Sequence, residues 1–239
     1  MIENKDGKLH LILADSELEL VPREYWSHPA VSNNARKKGK RSSQVLLDSS
    51  LHYTLFDDPA QRARRGRPDI VHQFLLLGLD SILNLQGRLS LKVHTRNDEL
   101  IRISPETRLP KNYNRYSGLF EELFRTGAVP DQKKPLISLE RGITLKEILG
   151  GVKKDIIDHG GSPRTLIMDP SGEEEDLRTV LKGMVRTDGS ELICIIGGFS
   201  TGGFRSDVSA EEGRMISLPG GQLKVWTVVS ELLVNFRNL

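Results

Sequence analysis

The sequence predicts an α/β fold with a mostly parallel sheet flanked by helices, and three observations carry that reading. Three short apolar runs, 166–168, 192–196 and 215–218, have the length of buried strands. Each ends in a loop rich in Gly or Pro. Helical patterns follow two of them, over 174–185 and 223–236. Strands that alternate with helices imply crossover connections on a parallel sheet.

The remaining elements follow from the N-terminus. Leu9, Leu11 and Leu13 alternate with their neighbours and read as a strand. Ser16 or Pro22 opens a helical stretch running through 24–36. Val45-Leu46-Leu47 reads as a short buried strand before Asp48. Residues 57–68, with Asp57-Asp58-Pro59, an arginine cluster and Gly66-Arg67-Pro68, read as a loop. The chain is then helical from 69 to 85, starting at Asp69 or Pro68. Its middle (Phe74, Leu75, Leu76, Leu77, Leu79) is apolar nearly all round, which predicts burial. Leu89, Leu91 and Val93, the turn Asn97-Asp98, and Leu100, Ile101 and Ile103 give a β-hairpin. Tyr116, Leu119, Phe120, Leu123 and Phe124 have amphipathic helical spacing. Segment 128–163 is rich in Lys, Pro and Gly, with a short helical stretch over 145–149. Strands lie on both sides of it, so the chain reads as one domain, 1–239, with a β-hairpin-containing insertion.

Of 239 residues, 37% are hydrophobic and 28% charged, ordinary globular usage that excludes a disordered or fibrous chain. One cysteine, Cys194, excludes an internal disulfide and a cysteine-based zinc site. No apolar run nears the roughly 18–20 residues that span a bilayer, and the N-terminal apolar stretch is too short for a secretory signal. A soluble, cytoplasmic protein without a membrane partner is expected. The net charge of +2 conceals an asymmetry: residues 36–115 hold 16 of the 34 Lys and Arg but 8 of the 32 Asp and Glu. Two clusters dominate, Arg36-Lys37-Lys38-Gly39-Lys40-Arg41 and Arg62-Ala63-Arg64-Arg65-Gly66-Arg67. One such run is commonly a solvated loop. Two, with Arg108, Lys111 and Arg115 after them, point to a polyanionic partner, nucleic acid.

In open α/β sheets, ligands bind beyond the carboxyl ends of the strands. Here those ends carry Asp169-Pro170-Ser171-Gly172, Gly197-Gly198-Phe199-Ser200-Thr201-Gly202-Gly203 and Pro219-Gly220-Gly221. None matches a phosphate loop, and the middle one has no lysine. One glycine-rich strand end is as readily a tight turn. Three in one layer favour a neutral, adenosine-like ligand held largely by backbone. The six histidines show no metal-ligand spacing, and no metal is expected. His72 reads as a satisfied core histidine and Cys194 as inert packing. The acidic run 173–176 reads as a helix N-terminus.

The strings RRGRPDIVHQFLL (64–76), SPETRLPKNYNRYSGLFEELF (104–124), IIGGFSTGGF (195–204) and RMISLPGGQLKVWTVVSELL (214–233) carry a resemblance. The chain resembles the SPOUT-class small-subunit ribosomal RNA methyltransferases specific for N1 of pseudouridine, from residue 9 to 233, and the archaeal type of this ribosome biogenesis family more than the eukaryotic. Its most specific parts are Arg67-Pro68-Asp69 and Thr107-Arg108-Leu109-Pro110. The resemblance implies a SPOUT-like fold with a C-terminal trefoil knot, placed in 160–239, that binds S-adenosylmethionine and releases S-adenosylhomocysteine. It implies a homodimer acting on small-subunit rRNA or the pre-ribosome. Arg67, Arg108, Lys111 and Arg115 match RNA-contacting positions within the basic segment 36–115. Lys111 stands where eukaryotic members carry arginine, a point charge in place of a fork. The implied cofactor-binding set is Met168, Gly197, Gly198, Gly202, Ile216, Ser217, Leu218, Pro219, Gly220, Gly221 and Leu223.

Asp69 and Arg67 are the implied catalytic pair. Asp69 either accepts the proton that the nitrogen must lose or holds Arg67 in place. The second role is favoured, because an aspartate among guanidinium groups has its charged form stabilised and is a poor base. The target base is expected to be splayed from the RNA, with Tyr113 or Tyr116 available to stack on it. The C-terminal helix carries Leu223, Trp226, Val229, Leu233 and Phe236 at helical spacing, for a dimer interface or for the monomer core. Two alternatives stand beside this reading: a non-catalytic rRNA-binding assembly factor, and a knotted methyltransferase acting on tRNA.

Overall fold

The computed structural model describes residues 7–185 and 190–239. Residues 1–6, part of the N-terminus read as no signal sequence, and 186–189, inside the 160–239 region, lie outside the described residues.

In chain order the sheet strands are β1 (Leu9–Ser16), β2 (Leu89–Thr95), β3 (Glu99–Ile103), β4 (Ala128–Val129), β5 (Ile137–Arg141), β6 (Ser162–Glu174), β7 (Ser190–Gly197) and β8 (Arg214–Ser217). They form one sheet in the order β4-β5-β3-β2-β1-β7-β6-β8. β1 pairs in parallel with β2 and β7, and β6 with β7 and β8. β3 runs antiparallel to β2 and β5, and β4 antiparallel to β5. The predicted parallel sheet is present, and the 97–98 turn joins the predicted hairpin.

The helices are α1 (Pro29–Lys37), α2 (Ser49–His52), α3 (Pro59–Arg64), α4 (Pro68–Leu79), α5 (Ile82–Leu85), α6 (Tyr113–Thr126), α7 (Leu145–Asp158), α8 (Leu177–Met184) and α9 (Val225–Arg237). Every residue of β1 is buried, as a central parallel strand covered on both faces requires. Leu9, Leu11 and Leu13 pack on one side with Phe74 of α4, Tyr116 and Phe120 of α6, and Val229 and Phe236 of α9. Ile12 and Ala14 pack on the other with Ile148, Leu149, Val152 and Ile156 of α7. The period of two in a strand thus divides β1 between two cores.

Several expectations are corrected. The helix over 24–36 is broken into a 3-10 turn, Arg23–Tyr25, and α1. Pro29 cannot donate to a preceding turn and holds His28 extended (φ −63, ψ 135), so the helix starts afresh there. Residues 45–47 form no sheet strand. Leu46 makes an isolated bridge to Leu20, while Val45 and Leu47 fill a third core with Val21, Val31 and Phe56. The loop read over 57–68 contains α3, opened by Pro59 and by the Asp58 carboxylate, which accepts from the Ala60 amide. The helix over 69–85 is two helices. Ser81 donates its hydroxyl to the Gly78 carbonyl and accepts from the Asn84 amide, which ends α4 and starts α5.

Segment 128–163 is an extension of the sheet. It supplies β4, β5 and the 14-residue α7, which runs past Gly150-Gly151 because Val152 and Ile156 are buried beyond them. Of the acidic run, only Asp176 opens a helix, accepting from the Thr179 amide. Glu173 and Glu174 end β6, and α8 begins at Leu177 behind the Asp176 cap. The 169–172 stretch is a bulge inside β6: Met168 and Glu173 both lie opposite Ile216. A Cβ on Gly172 would stand 2.7–2.8 Å from the Ile216 backbone, so only glycine lets the bulge close over β8.

Candidate active site

A cleft of about 870 Å³, counted to its open mouth, lies at the bulge of β6, the carboxyl ends of β7 and β8 and the start of α9, beyond strand ends of the kind where open α/β sheets bind ligands. Of the expected cofactor residues, Met168, Gly197, Gly202, Ile216, Ser217, Leu218, Gly221 and Leu223 line it. Gly198, Pro219 and Gly220 do not. Gly198 has a packing role: its amide donates to Ala14 O at 2.7 Å, and a Cβ would meet Ser16 Oγ at 2.3 Å. Pro219 and Gly220 form an exposed turn, with Gly220 at φ 105.

Phe199, Ser200, Gln222 and Trp226 also line the cleft; sequence reasoning missed them as wall residues. Phe199 lay inside the glycine loop already singled out, and that was the available signal. Its ring covers Gly197, where a Cβ would stand 2.6 Å from the ring edge. The ring also meets Phe204 edge-on at 5.5 Å. Trp226 faces the cleft, whereas Val229 and Phe236 are fully buried in the chain's own core. For those two residues, core packing is the correct alternative.

Arg67 reaches the cleft wall from the basic segment. Its Nε and Nη2 donate to the two carboxylate oxygens of Asp69 at 2.8 and 2.7 Å. Asp69 sits in the first turn of α4, where negative charge complements the helix dipole. Its hydrogen bonds hold the Arg67 guanidinium above its ordinary pKa, against the opposing effect of burial. No second guanidinium pairs with Asp69 among the described residues.

The basic clusters are divided: Arg36, Lys37, Arg41 and Arg62 are exposed, while other members pair with the fold. Lys38 and Lys40 both bond the buried Glu121, at 2.6 and 2.7 Å. Arg62 bonds the Phe56 carbonyl, Arg64 bonds Glu17 and Arg65 bonds Glu19. Five cations of the two runs are thus bound to the protein itself, and Arg36, Lys37 and Arg41 are left facing solvent. Lys111 is 82% exposed and 3.8 Å from Asp80. Arg108 and Arg115 are exposed. The loop bearing Arg108 is pinned by Thr107 Oγ1 to Leu136 O at 3.0 Å and by His72 Nε2 to Pro110 O at 2.9 Å. His72 is thus the satisfied core histidine expected.

Tyr116 is fully buried and stacks on His72, so it is not available to a base. Tyr113 is half-buried and donates its hydroxyl to Asp48 at 2.6 Å; burial first, then that carboxylate, push its phenol well above the ordinary range. Cys194 is buried in β7 and burial raises its thiol, which fits inert packing. Among the described residues no three His, Cys, Asp or Glu side chains are grouped to hold a metal, and no helix is long and apolar enough to cross a membrane.

Residues 11–237 match the family model described as EMG1/NEP1 methyltransferase. A ribosomal RNA small subunit methyltransferase Nep1 of Methanothrix thermoacetophila is 43% identical over 230 residues, 96% of each chain. The Nep1 of Thermococcus onnurineus is 42% identical over 233 residues, covering 96% of this chain and 98% of that one. The crystal structure of Archaeoglobus fulgidus Nep1 bound to S-adenosylhomocysteine superposes with a TM-score of 0.78, at 33% identity and 98% coverage of both chains.

Proposed function

The chain belongs to the EMG1/NEP1 methyltransferase family, and on that premise we propose that it methylates N1 of a pseudouridine in small-subunit rRNA during ribosome biogenesis. The observation that carries the reading is the meeting of two sites. The strand-end cleft expected to take the cofactor has Arg67, an expected RNA contact, in its wall. The cleft suits an adenosyl ligand. Its sides are apolar at Met168, Ile196, Leu218 and Val225, and backbone at Gly197, Gly202 and Gly221 lets a ligand approach closely. Bound there, S-adenosylmethionine would supply a methyl group already activated by its sulfonium.

The protein's part is then chiefly position. Arg67 orients the RNA at the mouth, and Asp69 fixes Arg67 through both carboxylate oxygens. That bidentate grip favours a holding role over a base. Arg108, Lys111 and Arg115 supply phosphate contacts, and Tyr113, not Tyr116, is left to stack on a splayed base. The trefoil knot belongs to the same proposal. The chain passes β6 on the α7 side, where Phe204, Val208 and Met215 pack. It returns on the α4 side, where Val225 and Val229 pack. A cytoplasmic homodimer completes the reading.

The test incubates the protein with labelled S-adenosylmethionine and unmodified small-subunit rRNA and maps the product nucleoside. N1-methylpseudouridine is expected. Label found only in tRNA, or none in a protein that still binds rRNA, would favour the other two readings. Asp69→Asn separates the roles of Asp69. A holding role lowers RNA affinity and single-turnover rate together, whereas a base lowers the rate alone.

A further inference from the structure

The glycine loop after β7 is built against the basic segment. Ser200 donates its hydroxyl to the Ala63 carbonyl of α3 at 2.6 Å. Arg64 donates Nη1 to the carbonyls of Thr201 and Gly203 at 3.2 and 2.8 Å. The Arg64 guanidinium also lies 4.2 Å over the centre of the Phe199 ring. Gly202, between those two carbonyls, has φ 81, and a Cβ there would stand 2.8 Å from Arg64 Nη1. Arginine and loop therefore fit only as they are.

The other edge of Arg64 is fixed to the core. Its Nε donates to Glu17 Oε1 at 2.6 Å, and Arg96 donates to the second oxygen. Glu17 is fully buried. Its amide donates to Gly198 O at 3.1 Å, and its carbonyl accepts from the Arg67 amide at 2.8 Å. One buried residue thus touches the start of the glycine loop, Arg64 and Arg67. Arg64 Nη2 is buried without a partner among the described residues, which marks a side chain held in place by its other contacts.

We propose that Arg64 is a positioning residue of the cofactor site, fixing the 201 and 203 carbonyls and the Phe199 ring so that the loop is formed before the cofactor arrives. This rests on the methyltransferase reading above. The chemistry demands arginine, because one planar guanidinium serves a carboxylate, two carbonyls and a ring face at once. A lysine ammonium can keep the ion pair with Glu17 but, as a point charge, cannot span the carboxylate, both carbonyls and the ring face together.

The experiment compares Arg64→Lys with Arg65→Lys. Arg65 is its neighbour and bonds Glu19 twice at 3.0 Å without reaching the loop. Four quantities are measured: S-adenosylhomocysteine affinity by calorimetry, affinity for a small-subunit rRNA transcript, thermal midpoint, and amide exchange of residues 199–205 in the ligand-free protein. Arg64→Lys should weaken S-adenosylhomocysteine about tenfold or more and speed exchange in 199–205. RNA affinity should stay within about twofold. Arg65→Lys should lower the thermal midpoint alone. Wild-type cofactor affinity in Arg64→Lys overturns the proposal, as does an equal loss in both variants that tracks their thermal midpoints. Should Arg64→Lys fail to fold, the ligand-free wild type still decides: exchange of 201–205 as fast as in the exposed turn at Gly220-Gly221 shows a loop that is not formed before the cofactor and overturns the proposal equally. A wild-type protein that does not bind S-adenosylhomocysteine would sink the methyltransferase reading, while the exchange measurement still reports on Arg64.

Discussion

At Gly197 the space for a side chain is already taken. A Cβ there would stand within 2.7 Å of the Phe199 ring, so Gly197→Val must push that ring into the cleft. The expected result is a loss of S-adenosylhomocysteine affinity of about tenfold or more with a native circular dichroism spectrum; unchanged calorimetric affinity would remove Gly197 from the site. The outward cations behave differently. Arg108 and Arg115 are exposed, so their Ala variants should leave stability within about 0.5 kcal/mol. Each should lower the salt slope of rRNA binding by about one, as filter binding at several salt concentrations will show. Full affinity and slope in both variants would make them solvated surface. Local residue chemistry was legible here: the glycine loops and the Arg67-Pro68-Asp69 string stand in the sequence. The inward pairing of the basic runs was not, because Lys38 finds Glu121 and Arg64 finds Glu17 across long separations in the chain.

Between elements, the loop after β7 is tied to the end of β1 by one buried carboxylate. Asp15, at φ 51, accepts from the Arg205 and Ser206 amides at 2.6 and 2.9 Å and from Ser206 Oγ at 2.7 Å. Burial alone would raise its pKa. The hydrogen bonds from His94, Ser206 and Arg205 outweigh it and hold the carboxyl well below the ordinary 3.8. A depressed folded-state pKa stabilises above the unfolded value, and that stability is lost as pH falls below about 4. Asp15→Asn keeps the left-handed backbone, which asparagine tolerates, but removes the charge these donors favour and leaves one acceptor oxygen where there were two. Urea titration should show a loss of about 2–3 kcal/mol at pH 7 and a flatter acid limb. Equal stability of the two proteins from pH 7 to pH 3 would refute the clasp. Element breaks such as those at Pro29 and Ser81 carried local signals, a proline and a serine cap. The extension of α7 past Gly150-Gly151 also kept its helical spacing, Leu145, Ile148, Leu149, Val152 and Ile156, but two glycines oppose a helix locally, and the core that receives Val152 and Ile156 decides it.

For the whole molecule, the apolar side chains left outside fall partly on α9 and the neighbouring α5: Trp226 is 37% exposed, Val234 50% and Leu85 80%. The homodimer proposed above would bury this surface, on residues other than the Val229 and Phe236 that the helical spacing offered. Light scattering at micromolar concentration should give twice the chain mass, and Val234→Asp should shift it toward one; a monomer mass for the wild type refutes the assembly. By itself the sequence determined the α/β class, the strands that end in glycine loops and the family. Those rest on period, composition and short strings that neighbouring residues carry. Only the tertiary structure decided that 128–163 extends the sheet, which charges turn inward, that Phe199 and Trp226 wall the cleft, and that Gly198 packs against Ser16. These depend on which distant segments meet, and strand order and buried ion pairs are set by long-range burial, not by local pattern.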